Sequence, residues 1–203
     1  MNSRLPIVLL AASLSAFAQT NTPNLTNAQT KATTPTNFVQ QILEPTGAKV
    51  QRPKDWSYAE FHGKGLAQPP RPGDKWQYYH WSISPDPSKD TLVNIQTIVG
   101  VKEYNGKTPK EFIEDVVIPA MKKKADKVLK CCTENKHKSF TRICMEAELY
   151  QKHFLYSFFW SDDDLDVAVI SIASTAKDLW DTYSPVFDKM NGFELIDMKS
   201  TDK

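Results

Sequence analysis

Only four histidines occur, at His62, His80, His137 and His153. A zinc site would need them near cysteine or carboxylate at helical or turn spacing, and none is so placed. They read as surface or half-buried side chains. Asp162, Asp164 and Asp166 put oxygens at alternate positions, as the first half of a calcium loop does. The glycine that should follow is Val167, and the late bidentate glutamate falls on Ala173, so the pattern fails where calcium geometry is strictest. A charged hairpin tip is the expectation there. No Gly-x-Ser-x-Gly elbow, phosphate loop or dinucleotide fingerprint is present. A nucleophile at Cys131 or Cys132 would need a neighbouring base and a lowered pKa, and neither is written in the local sequence. The expectation is no catalytic residue, no metal ligand and no cofactor site.

Cys131, Cys132 and Cys144 permit one disulfide. A hairpin turning near Lys138 sets Cys132 opposite Cys144 at cross-strand spacing, with Cys131 as the competing partner for Cys144. A bridge between the neighbours Cys131 and Cys132 would close a small strained ring. Three free thiols stay open as an alternative, since only an oxidising compartment argues for a bridge. Trp56, Tyr58, Trp76, Tyr78, Tyr79 and Trp81 could line a groove for sugar or peptide. Aromatics at alternate strand positions more often fill the core between sheet and helix, so both readings stand. Lys122, Lys123, Lys124, Lys127 and Lys130 crowd the end of a helical segment, where cations complement the helix dipole. The sharper reading is a docking patch for an acidic partner.

These side chains need elements to hold them. Met1 to Arg4 is basic, Leu5 to Phe17 is apolar, and Ala16-Phe17-Ala18 is a cleavage pattern, so residues 1–18 read as a signal peptide. The apolar run is too short for a membrane anchor, and no membrane span is expected in the mature form. The chain has 25 Lys and Arg against 24 Asp and Glu. Loss of Arg4 leaves the mature chain balanced, which gives no global pull on nucleic acid or anionic lipid. Residues 19–36 are polar, with Leu25 the only large apolar side chain, and read as a disordered leader. Residues 37–203 then read as a single domain.

Within that domain Asn37 could cap a short helix over Phe38 to Leu43, stopped by Pro45 and Gly47. Strands are expected from Pro53 to His62, Lys75 to Ser84 and Leu92 to Val101. Thr108-Pro109-Lys110-Glu111 is a capping box that opens a long helix, which Pro119 should kink. Three more strands follow, at about Ser139 to Tyr150, His153 to Ser161 and Asp166 to Ser174. Thr175 with Asp178 is expected to cap a second helix through Met190, ended by Gly192, and Phe193 to Met198 could add an edge strand. The class is α+β, with a mostly antiparallel sheet and two long helices packed on it.

A Pro-x-x-Trp opening at Pro53 to Trp56, a meander, a long amphipathic helix, a second meander and a closing helix resembles the PsbP-like fold. That family comprises the extrinsic photosystem subunit P and many small exported bacterial proteins. The resemblance spans about Phe38 to Met198 and implies a non-catalytic, accessory role. The expected function is a periplasmic or secreted binding or accessory domain that meets an unknown protein or small molecule. Two other readings stand: an immunity protein that neutralises a periplasmic toxin, and an unrecognised hydrolase. A pocket joining a histidine to a carboxylate or cysteine would mark the last. Cleavage is expected after Ala18, so N-terminal sequencing of the exported protein should begin at Gln19; a protein beginning at Met1 would contradict it.

Overall fold

The structure, a computed structural model, describes residues 33–62, 73–85, 90–137, 140–161 and 165–192. The expected signal peptide, most of the leader and the Phe193 to Met198 strand lie outside the described residues. Where the leader ends, the Thr34 hydroxyl donates to the Thr182 carbonyl at 3.1 Å.

The strands are β1 (Phe38–Leu43), β2 (Ala48–Pro53), β3 (Ser57–His62), β4 (Gln77–Ser84) and β5 (Leu92–Val99), then β6 (Lys127–Cys131), β7 (Asn135–His137), β8 (Phe140–Leu149), β9 (Lys152–Ser161) and β10 (Val167–Ala176). β1 and β2 form a separate two-stranded sheet, and the rest make one sheet in the order β3-β4-β5-β10-β9-β8-β6, with β7 also paired to β8. All of its pairings are antiparallel. The helices are α1 (Val101–Asn105), α2 (Pro109–Glu111), α3 (Ile118–Lys124) and α4 (Trp180–Met190). The α+β class, with its mostly antiparallel sheet and two long helical segments, is as the patterning predicts.

Alternation along the strands sorts side chains to the two faces of the sheet. In β9, Phe154, Tyr156, Phe158 and Trp160 point to one face, and Leu155 and Phe159 to the other. The first face is covered by α2, α3 and the turn between them, through Phe112, Ile113, Val117 and Met121. The second is covered by α4, through Tyr183, Val186, Phe187 and Met190, and by the β1–β2 hairpin, through Leu43, Ala48 and Val50. Strands β9 and β10 are therefore buried on both faces and read as nearly continuous apolar runs. Among the large aromatic side chains, Trp81 and Phe158 are fully enclosed, at 1% and 0% exposure.

The capping box is as expected. The Glu111 N–H donates to the Thr108 hydroxyl at 3.3 Å, and the Thr108 N–H donates back to the Glu111 carboxylate at 2.9 Å. Ahead of Pro119, where a kink was expected, the helix passes through a π-helical turn over Phe112–Val117, in which the Ile118 N–H reaches back five residues to Ile113. Widening the helix ahead of a proline relieves the clash of its ring with the preceding turn.

Three details differ from expectation. Phe38–Leu43 is a strand paired with β2, where a short helix was predicted. Pro45 and Gly47 belong to a hairpin turn: Gly47 has a φ of 68°, its N–H meets the Leu43 carbonyl at 3.1 Å, and the Thr46 hydroxyl donates to that same oxygen. Six residues are too few for periodicity to separate helix from strand, and a tertiary partner decided it. Thr175 does not cap the second helix. It is the penultimate residue of β10, buried, with its hydroxyl 2.8 Å from that of Thr91, and α4 starts at Trp180 after a 3₁₀ turn over Lys177–Leu179, with no side-chain cap. Finally, α1, β2, β7 and the edge strand β6 were not foreseen, and Pro53, expected to open the next strand, instead ends β2. At the α1 start Gly100 has a φ of 77°, and a Cβ there would lie 2.8 Å from the Trp76 Cα, so only glycine fits.

Candidate functional site

The hairpin that turns between β7 and β8 pairs Asn135 with Arg142 and His137 with Phe140, which brings Cys132 opposite Cys144. The Cys132 N–H donates to the Cys144 carbonyl at 2.9 Å, and the two sulfurs form a disulfide. Cys131 is free and exposed. Beside the bridge lies a cleft of about 550 Å³ between β8, the β6–β7 connection and α4. Lys130, Asn135, Arg142, Glu146 and Asp188 supply its polar lining.

Arg142 was not foreseen as a site residue. Its Nη2 donates to the Ser157 hydroxyl at 3.2 Å, its guanidinium lies 5.8 Å from the centre of the Phe159 ring, and its buried Nε has no hydrogen-bond partner. Burial pushes the guanidinium down from its ordinary value, and the Asp188 carboxylate partly offsets this. The available signal was alternation. Arg142, Cys144, Glu146 and Glu148 share one face of β8, while Met145, Ala147 and Leu149 take the other, so a charged row sits against α4 where an apolar one would be ordinary.

The four histidines do not converge. His62 and His137 end β3 and β7. His80 Nε2 lies 3.3 Å from the Asn94 side-chain oxygen, and burial holds its pKa below the ordinary value. His153 stacks on Trp180 with ring centres 3.5 Å apart, and its Nε2 lies 3.4 Å from Glu146 without the alignment of a hydrogen bond. Burial outweighs the carboxylates of Glu146 and Glu148, and the net effect on His153 is again downward. The pair thus touches the cleft through Glu146, with the imidazole covered by Trp180 and the nearby Cys144 locked in the bridge. Among the described residues no three His, Cys, Asp or Glu side chains could hold a metal ion. Asp162 and Asp164 lie outside the described residues. Asp166 accepts from the Lys102 N–H at 3.1 Å and so secures the start of α1.

The six aromatic candidates divide between the two faces. Trp56 and Trp81 are buried in the core beneath α4, and Trp76 and Tyr78 in the core on the opposite face. Trp56 meets Tyr183 edge-on at 5.8 Å and carries the β2–β3 turn onto α4. The Trp81 indole donates to the Glu44 carbonyl at 3.1 Å, which ties the β1–β2 hairpin to the large sheet. Tyr58 and Tyr79 are half-buried; Tyr58 donates to Glu60 at 2.6 Å and Tyr79 to Gln77. Desolvation raises the pKa of each of these three tyrosines, Tyr58, Tyr78 and Tyr79.

The lysines gather at the far edge of the same sheet. Lys122, Lys123 and Lys124 close α3, and Lys127 and Lys130 follow on β6, all of them exposed. None of the five has an ion-pair partner among the described residues. β6 pairs with β8 on its inner side, with a bulge between Val128 and Lys130, and no described strand lies on its outer side.

No family model matches the chain, and no curated protein matches it. Its structure is similar to the solution structure of cyanobacterial PsbP (CyanoP) from Synechocystis sp. PCC 6803. The TM-score is 0.50 at 15% identity, over 78% of this chain and 92% of that one. The fold is PsbP-like. No helix among the described residues is long and apolar enough to cross a membrane.

The disulfide closes a loop of sequence separation 12, which by chain entropy contributes about 3 kcal/mol. Reduction should lower Tm by several degrees. Cys144→Ser should reproduce the drop and Cys131→Ser should not; three alkylatable thiols in the native protein would contradict the pairing.

His80 and His153 generate a pH dependence. Their folded pKa values lie below the unfolded value of about 6.5, so on acidification the unfolded chain binds protons first. Their contribution is complete above about pH 6.5 and is lost as pH falls through the folded values. Proton NMR should place both imidazole midpoints below about 6.5, and Tm should decline from pH 7 to pH 5.5, less steeply in His80→Gln. Midpoints at or above the ordinary value would contradict the burial argument.

Proposed function

We propose that this protein is an exported, non-catalytic accessory domain that recognises a partner through its surface. The observation that carries the reading is the group of five lysines that, among the described residues, have no carboxylate within ion-pair distance and lie beside an edge of β6 on which no described strand is laid. Asp126 is the one carboxylate among these nine residues, and although Lys127 and Lys130 lie in register with Glu148 and Glu146 of β8, the positive charge remains in excess at the end of α3 and along β6, where an opposing charge field on a partner would be favourable. Lys110, Lys152 and Lys177 by contrast each have a carboxylate within 4.0 Å.

Two further observations support the proposal. The PsbP-like fold belongs to a resemblance group whose members have mostly accessory roles, and the similar structure is itself named for PsbP. The apolar and small-residue pattern of residues 1–18 suits export to an oxidising compartment, where the Cys132–Cys144 bridge would persist.

Charge reversal tests it. A variant with Lys123→Glu, Lys127→Glu and Lys130→Glu should keep its Tm within a few degrees, because all three side chains are exposed. Its affinity for the partner recovered from periplasmic extract should fall by about tenfold or more, and that of the parent chain should fall with added salt. A partner held equally by both chains at all salt concentrations would overturn the reading.

A further inference from the structure

β6 is an edge strand whose five residues, Lys127 to Cys131, are all exposed. Val128 and Leu129 stand 38% and 36% exposed. At the β8–β9 turn, the Tyr150 N–H donates to the Asp126 carboxylate at 2.9 Å. That bond fixes the turn beside the residue that leads into β6 and sets there a tyrosine ring that is 74% exposed. Among the described residues this edge therefore combines backbone groups that no strand pairs, two exposed apolar side chains and five basic ones, with the exposed Tyr150 at its beginning. Unpaired strand edges bind extended peptides through the backbone, with side chains choosing the partner.

Lysines on a sheet edge also keep strands from pairing at random. That protective role and a recognition role coincide in this geometry. A second copy of β6 laid on the first in parallel register would bring Lys127 and Lys130 against lysines, and like charges opposed across a ladder are unfavourable. An acidic strand would convert the same contacts into attraction. An anionic surface without a backbone to pair would use the lysines and leave the ladder groups unused.

We propose that β6 takes up an extended, acidic segment of a partner protein as an additional strand, with the partner's carboxylates against the lysines of α3 and β6 and its apolar side chains against Val128, Leu129 and Tyr150. This rests on the surface-recognition reading above and names its partner by chemistry. The bulge at Leu129 limits regular pairing to a few residues on each side, so the segment is short and the complex is sensitive to salt.

The test uses the full mature chain and a fluorescent peptide of alternating Glu and Val. Three comparison probes go with it: the same peptide N-methylated at alternate residues so that it cannot join a ladder, a Lys and Val peptide, and phosphatidylglycerol vesicles. The acidic peptide should bind and should slow amide exchange across Lys127 to Cys131. N-methylation and the pair Lys127→Glu with Lys130→Glu should each weaken binding by about tenfold. Leu129→Ser, which leaves every charge in place, should weaken it less, and the Lys and Val peptide should not bind. Equal binding of the N-methylated peptide would overturn strand addition while leaving surface recognition standing. Vesicle binding that exceeds peptide binding, with the same lysine dependence, would replace the protein partner with a lipid surface. Cross-links from Lys130 to Glu194 or Asp197 of the same chain would show the edge filled from within, and would overturn the proposal.

Discussion

Burial of β9 and β10 on both faces is the constraint from which the rest of the structure follows. A sheet that exposes one face needs a single covering layer, whereas strands such as Phe154–Trp160 and Val167–Ala173, apolar on both sides, need two. The helical segment from Pro109 to Lys124 supplies one cover, and α4 with the β1–β2 hairpin supplies the other. Trp56, Trp81 and Arg52 join the second cover to the sheet. The Arg52 guanidinium donates to the Pro53, Lys54 and Trp56 carbonyls and thereby fixes the turn that delivers Trp56 to α4. A sheet so committed at its centre leaves its recognition capacity at the margins.

Those margins are unlike. At the β8 end, alternation that is apolar on both faces at the centre gives way to a charged row, Arg142, Glu146 and Glu148, and then to β6, where no residue is buried. The disulfide pins this outer region to β8 just where ladder pairing weakens, at the joint between β6 and β7. Without that link the β6 edge would depend on a few backbone hydrogen bonds around a bulge, and a frayed edge cannot present lysines in fixed positions.

Much of this was legible in the residues. The alternation of Val93, Ile95, Val99 against Asn94 and Gln96, the aromatic run Trp76 to Ile83 and the capping box at Thr108 each specify an element by local chemistry alone. Hairpin symmetry about Lys138 pointed to Cys132–Cys144 but left Cys131 as a competitor, and the register of β7 on β8 decides between them. The first strand was not legible, because Phe-Val-Gln-Gln-Ile-Leu carries no period long enough to decide, and its pairing with Ala48–Pro53 is a tertiary fact. Thr175 looked like a cap because a threonine three residues before an aspartate has that pattern, yet the buried Thr91 hydroxyl claimed its side chain. The charged face of β8 was written in its alternation, but its meaning depends on α4 lying across it, which no local pattern states. The six aromatics read as one cluster in the chain, and the pleat separates them onto two faces.

The centre of the sheet is closed on both sides, and among the described residues its β6 edge is open. Residue-resolved amide hydrogen exchange on the oxidised mature chain measures this directly. Protection should be greatest in β9 and β10, around Phe158 and Ile170, and the β6 amides that face away from β8 should exchange fast. Protection throughout β6 equal to that of β9 would mean that the edge is already covered, and would contradict this arrangement.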